Sequence, residues 1–599
     1  MVSLRRSLLL LGLILAMSSL ASAQPVAPAF GCAVNAGVPP LVRAEGLTEL
    51  VGDVVLNCTN GTATPLTSPA TAVPRVNVRI FLNTNLTSRI VSSPFNETLL
   101  MIDEPSAANQ RVCSTAATGC SINGVNPSTV SGSGPGVNYS ASGNPNVFQG
   151  SKAPGENAAE WIGVPIDPPG TANTRVIRIT NVRANANQLG VSSTLVPTQI
   201  IMFISMTGST SIPINNPSQI VAFVLPSITF AVSGAGTNTQ CTSSSRSVTL
   251  TYTERFATAF KKRSDQSDPA TVATQNVPGA IYNTETGFYN PLFVTEDGVT
   301  AAGNSVRTAG RASQGTRLRA IFAGTQAGVT LAVSTVDSVN SSTHSAVLVN
   351  TDVNGAGAYS AASSGTLTVS GGGALAVWEV TGATSLVAQA YVFTATYSWT
   401  TNLAAGIPGL GQATVGGSYA PAYSTSTSPS LAAVSVSITT DNQPRFADTA
   451  SASNTLNISP CVCNLLFPYV TNQGGFDTGL VVANTTVDPF GTAAQTGTVT
   501  INYYGSTTGG GAAPPAQVSA AVPAGGQLIW SLSSGGNFGV AATPGFQGYI
   551  ITQSRFQYCH GFAFVSDFGA SKLSHGYLAL VIDPPGLGRG TAIGESLGQ

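Results

Sequence analysis

The stretch VNVRIFL, residues 76–82, decides the fold. Val76, Val78, Ile80 and Leu82 fall on one side of an extended chain, and Asn77 and Arg79 fall on the other. That period of two belongs to a half-buried β-strand. It recurs in SVTLTYT (247–253), AVSVSIT (433–439) and GTVTINYYG (497–505), between turns rich in Gly, Pro, Asn and Ser. Apolar residues at helical spacing with caps are scarce. The chain therefore reads as all-β, built of tandem antiparallel β-sandwich domains of Ig-like or jelly-roll-like kind.

The first residues, MVSLRRSLLLLGLILAMSSLASAQP, carry the marks of an export signal. Arg5 and Arg6 supply the positive region, Leu8 to Met17 the apolar core, and Ala21-Ser22-Ala23 the small-residue cleavage site. Cleavage is expected before Gln24. The arginine pair leaves the Sec and twin-arginine routes both open. No later apolar run has the roughly 18 residues of a membrane helix. An exported protein is expected, extracellular or at the cell surface, with the periplasm as the alternative.

Only 8% of the 599 residues are charged, against about 25% in ordinary domains, and the net charge is −1. A basic footprint for nucleic acid is absent, as is an acidic tail. Apolar residues make up 43%, so low charge here does not mean disorder. The polar surface must come from Ser, Thr, Asn, Gln and Gly. Such a surface depends little on ion pairs and offers weak repulsion against self-association.

Turn-rich stretches divide the chain. The expected plan is a signal over 1–23, a first sandwich over 24–235, a second over 236–460, a third over 461–585 and a flexible tail over 586–599. Residues 121–158, poor in apolar side chains, read as a long surface loop of the first domain. The stretch VSGAGTNTQ (232–240) marks its end, and IDPPG at 166–170 and 582–586 reads as a turn.

Eight cysteines in an exported chain favour disulfides. Cys461 and Cys463, in CVCNLLFPYV, sit two apart on a strand. Their Cα atoms would be about 6.6 Å apart with parallel side chains, a poor geometry for bonding each other. Only three histidines are present and no C-x-x-C, so neither a metal nor a redox pair is favoured. One of Cys461 and Cys463 is expected to close on Cys241, and the other to reach Cys559. Cys32 with Cys58, and Cys113 with Cys120, complete the set.

VPPLVRAEGLTELVGDVVLNCTNG (38–61), LVPTQIIMFISMTGSTSIPINNPSQ (195–219), LLFPYVTNQGGFDTGLVVANT (465–485) and FQGYIITQSRFQYCHGFAFVSD (546–567) resemble a group of secreted proteins of soil bacteria. The resemblance implies export and β-sandwich modules, and no activity, since none is assigned to that group. It also implies an extra bridge in relatives that carry cysteines where this chain has Val499 and Ser554. GDVVLNCTNG (52–61) resembles pilus-related coat domains, in which a strand ending in Cys pairs back to an early Cys.

Catalytic patterns are sparse. No G-x-S-x-G elbow occurs. His560 lies in an alternating aromatic strand before Asp567 and reads as structural, as does His575; His344, in NSSTHSA, reads as exposed. The carboxylate pairs Glu45 with Glu49, Asp103 with Glu104, and Glu156 with Glu160 read as turn or surface groups rather than a glycosidase pair. DVNG at 352–355 is a fragment of a calcium loop and equally a turn. FKKRSD (260–265) reads as a solvated basic turn. Tyr282, Phe288 and Tyr289, in YNTETGFYNP, are the candidate ligand loop, through stacking on sugar faces. The expected role is non-enzymatic: adhesion, matrix or envelope assembly against a cell-surface or matrix component. A carbohydrate-binding protein contacting polysaccharide is the alternative. A polysaccharide-active enzyme without a readable motif is the second alternative. No cofactor is expected beyond the calcium fragment.

Overall fold

The computed structural model describes residues 28–64, 73–92, 94–120, 139, 144–151, 157–191, 196–208, 212–241, 244–264, 275–293, 308–400, 407–423 and 443–582. The expected signal, the tail, the strand at 433–439, the second DPPG turn and most of the 121–158 loop lie outside them. Strands dominate, joined by short 3-10 turns such as Ala107–Asn109 and Asn187–Leu189. No described helix is long and apolar enough to cross a membrane.

The strand Arg75–Leu82 buries Val76, Val78, Ile80 and Leu82 in turn. It lies between Thr198–Gly208 and Ala158–Pro165, both antiparallel. These belong to a twelve-stranded sheet running from Gly31 to Leu225. The sheet rolls over one core that holds Leu56, Ile80, Trp161 and Ile204. Its ends are tied by Gln219, whose Oε1 accepts the Ala36 N–H at 3.1 Å.

The second block is a sandwich. A five-stranded sheet contains Ile228–Ser233, Ser245–Glu254 and Ala390–Ser398, and faces a six-stranded sheet that contains Arg317–Ala323, Ala374–Gly382 and Ala452–Ser459. Between them Trp378 stacks on Phe393 at 4.1 Å, and Tyr252 meets both rings. The chain enters this sandwich earlier than the turn signals suggest. Ile228–Ser233 pairs with Ser245–Glu254, and Gly236–Thr239 pairs in parallel with Ala452–Ser459. VSGAGTNTQ thus lies within the second block, a strand end, a short turn and the strand Gly236–Thr239, and is not the boundary at 235. The break falls at Pro226, which cannot donate to a ladder, followed by buried Ser227.

The third block is a smaller sandwich over Cys463–Ile582. Its six-stranded sheet includes Cys463–Thr471, Val499–Thr507 and Gln547–Ser554; its five-stranded sheet includes Gln527–Ser531, Asp477–Asn484, Cys559–Ser566 and Ser574–Leu578. Leu465, Phe467, Ile501, Trp530 and Phe546 fill the space between. Val499 and Ser554 face each other on adjacent strands.

Four disulfides use all eight cysteines: Cys32–Cys58, Cys113–Cys120, Cys241–Cys461 and Cys463–Cys559. Such bridges belong to an oxidising compartment. Cys461 closes the second sandwich, while Cys463 crosses the third from one sheet to the other. Gln495 of the third block lies against the first of these bridges, its Nε2 3.5 Å from Cys461 Sγ, and its Oε1 accepts the Gln557 N–H at 2.7 Å. Gln495 thus links the third block to the bridge that closes the second.

Candidate binding surface

The loop at 282–291 points inward. Phe288 and Tyr289 are buried, and Phe288 packs with Phe293 against Leu99, Met101 and Val147 of the first block. Tyr282 lies at the edge of the same cluster, its hydroxyl donating to Val277 O at 2.9 Å. These rings therefore present no platform to a sugar. Their inward turn follows from Glu285 between them. Arg43 of the first block donates from both terminal nitrogens to Glu285, at 2.7 and 3.0 Å, and from Nε to Glu49 at 2.8 Å. The guanidinium lies 4.7 Å from the Phe446 ring centre. Burial opposes charge on Arg43, but Glu285 and Glu49 outweigh it and hold its pKa well above the ordinary value. Burial would raise Glu285; the Arg43 charge instead holds it low.

More bonds follow the same seam. Asn181 Nδ2 donates to Phe288 O at 2.9 Å, and Glu97 accepts from Gly310 N at 3.2 Å and from Gln443 Nε2 at 2.9 Å. The basic cluster FKKRSD also enters it. Phe260, Lys261 and Ser264 are buried, and the Lys261 N–H donates to Thr316 Oγ1 at 2.8 Å. Burial, then the nearby Arg43 charge, lowers the Lys261 pKa. So residues 260–264 are a packed element, not a solvated turn, and Asp265 lies outside the described residues. The first two blocks are joined by buried, bonded charges.

Other candidates take structural places. Asp352 Oδ1 accepts the N–H groups of Asn354 and Ala356 at 2.9 and 2.8 Å, closing a turn. Asp103 and Glu104 pair with Arg175 and Arg178. His344 is not freely exposed: its Nε2 lies 3.2 Å from Asp337, and its ring lies 4.3 Å from that of Tyr391. His560 and His575 are exposed on neighbouring strands of the third block.

The third block carries the surface that sequence reading did not single out. Among the described residues, markedly exposed aromatic side chains gather here: Tyr469, Phe490, Tyr504, Tyr549, Tyr558, Phe562, Phe564 and Phe568, against Phe203 in the rest. On Cys559–Ser566 the buried positions are Cys559, Gly561, Ala563 and Val565, while His560, Phe562 and Phe564 face out. Packing explains this inversion. A Cβ added to Gly561 would stand 2.8 Å from Leu465 Cδ1 and from Phe467 Cζ. The core has no room for a methyl there, so the large rings must take the outer face.

Cross-strand register then builds a stripe. Ile529, Val481, Phe562 and Leu578 stand side by side on four adjacent strands. Phe562 and Phe564 lean over Gly576 of the edge strand, where an added Cβ would lie 2.8 and 3.4 Å from them. Gly479, opposite Phe564, has open space above it. Residues 461–582 hold three acids (Asp477, Asp488, Asp567) and two bases (Arg555, Lys572). Burial would raise Asp567, but the N–H groups of Gly569, Ser571 and Leu573 hold it low and keep it in its turn. This sheet face leaves a contiguous, uncharged apolar stripe open to water.

No family model and no curated protein matches the chain. Among solved structures it is similar to the major pilin subunit BcpA of Bacillus cereus, at 6% identity over 92% of this chain and 95% of that one, with a TM-score of 0.18. A serine-rich repeat adhesion glycoprotein of Streptococcus agalactiae matches at 9% identity, over 71% and 97%, with a TM-score of 0.17. The CupB6 tip adhesin of Pseudomonas aeruginosa matches at 9%, over 72% and 100%, with a TM-score of 0.15. Likenesses at these TM-scores carry no argument about what this chain does.

Proposed function

We propose that this is an exported, non-enzymatic contact protein, acting in adhesion, matrix or envelope assembly at the cell surface. The first two blocks form its stiff base, and the third sandwich presents the contact face. The observation that carries this reading is the outward stripe of Ile529, Phe562 and Leu578 beside Phe564. Water is displaced from such a face when a partner covers it, at about 25 cal/mol per Å² of apolar surface. The Cys463–Cys559 bridge supports the reading, because it ties the strand that carries Phe562 and Phe564 to the opposite sheet of the third sandwich.

The test is adsorption of the oxidised chain 24–599 to whole bacterial cells and isolated envelope. Saturable adsorption is expected, and replacing Phe562 and Phe564 by Ser should weaken it with no change in the melting of the first two blocks. Adsorption indifferent to both substitutions would count against this face.

A further inference from the structure

The opposite face of the third sandwich differs in chemistry. On the outer side of the six-stranded sheet, Tyr504 stands opposite Tyr549, Asn502 opposite Ile551, Thr500 opposite Gln553, and Ser506 opposite Gln547. The two tyrosine rings stack, with centres 4.9 Å apart and planes 14° from parallel. They are 43% and 42% exposed. Tyr252, Tyr391 and Tyr577 each donate their hydroxyl to a backbone carbonyl. The hydroxyls of Tyr504 and Tyr549 have no partner among the described residues.

Outward groups along Gln547–Ser554 recur about every 6.6 Å. They run amide, ring, aliphatic and amide, at Gln547, Tyr549, Ile551 and Gln553, over about 20 Å. No carboxylate, ammonium or guanidinium stands on these outward positions of the two strands. Each part has a matching ligand group. Aromatic rings offer apolar faces to the C–H side of a pyranose. Amides and hydroxyls, which donate and accept, meet sugar hydroxyls. Nothing here attracts a phosphate or uronate. Asn502 Nδ2 already donates to Ile551 O at 3.3 Å, but a purely hydrophobic partner would leave the Gln547 and Gln553 amides and the two phenols unpaired, which is costly.

We propose that this face binds a neutral polysaccharide. The chain lies across the Tyr504–Tyr549 pair, and its hydroxyls bond to Asn502, Gln547 and Gln553. This rests on the contact-protein reading above, and places a glycan on a face that reading does not use.

The test is depletion of the oxidised chain 24–599 by cellulose, by chitin and by an insoluble mixed-linkage β-glucan, with polygalacturonate gel as the anionic control. Saturable depletion by at least one neutral polymer is expected, unchanged by added salt. Y504A/Y549A should weaken it by about tenfold, and Y504F/Y549F should retain most of it. Phe562→Ser should leave it intact, since that ring faces away. The melting profile of each variant verifies folding. Three results would overturn the proposal. The first is no depletion by any neutral polymer. The second is uptake by polygalacturonate that salt abolishes. The third is a concentration-dependent dimer that Y504A/Y549A disperses, which would put a second copy on this face. Cell adsorption that depends on Phe562 while glycan depletion fails would sink this proposal and leave the contact reading standing.

Discussion

Removing the charge at Arg43 should uncouple the first two blocks. In Arg43→Met two buried carboxylates, Glu285 and Glu49, lose the cation they share, along with bonds of 2.7 to 3.0 Å. Glu285 keeps the hydroxyl of Thr316 at 2.6 Å and the nearby Lys261 charge, which offset only part of its own. A buried charge stripped of its partner costs about 3–5 kcal/mol. The Met side chain recovers part of the packing against Phe446 and Tyr419, so a net loss of about 3 kcal/mol is expected. The assay is urea denaturation of the oxidised protein, followed by Trp fluorescence and by far-UV circular dichroism. Wild type should lose the first two blocks together, whereas Arg43→Met should separate them into two transitions. Adding Glu285→Gln and Glu49→Gln removes the stranded charges and should restore much of the loss. If Arg43→Met shifts stability by less than about 1 kcal/mol, or the triple variant recovers nothing, the seam is not held as argued.

Further outcomes follow from single sites. Burial pushes the Glu254 carboxyl from 4.5 up to about 7, against the N–H bonds of Phe260 and Gln389. A group protonated in the folded chain and ionised in the unfolded one supports folding fully below about pH 4.5, and that support fades as pH rises through about 7. The second-block melting midpoint should fall between about pH 5 and about pH 8, and Glu254→Gln, which cannot ionise, should flatten that slope. Cys463→Ser with Cys559→Ser opens a loop whose ends are 96 residues apart. It should cost about 2–5 kcal/mol, read by calorimetry in the third-block transition alone. Gly310 has φ +76°, and a Cβ there would stand 2.0 Å from Phe288 O. Gly310→Ala should therefore cost at least about 1–3 kcal/mol in the same urea assay.

The strands were legible wherever one face met the core and the other met water. Arg75–Leu82 and Ser245–Glu254 show the period of two because their inner residues are uniformly large and apolar. The early entry into the second sandwich was harder to see. Ile228–Ser233 is only half-buried on its inner side, and the Gly-rich turn after it marks a hairpin as readily as a boundary. The loop at 282–291 misled for a different reason. Its aromatics are buried because Glu285 meets Arg43, a partner 242 residues away, and no local pattern encodes such a pairing. The basic run at 260–265 failed on the same seam. The exposed aromatic face was written in the sequence as HGFAFVS. Which of its two alternations faces the core depended on Leu465 and Phe467 having filled the space beneath Gly561. Two apolar registers on one strand signal an exposed face whenever the smaller set is forced inward.

The central claim is that the third sandwich makes contact while the first two support it. Hydroxyl-radical footprinting of the oxidised chain, free and adsorbed on cells, reads this directly, because exposed aromatic rings are oxidised where water reaches them. The account predicts protection at Phe562 and Phe564 on adsorption, with Phe203 of the first block labelled equally in both states. Protection confined to residues 28–459, with Phe562 and Phe564 unchanged, would contradict it.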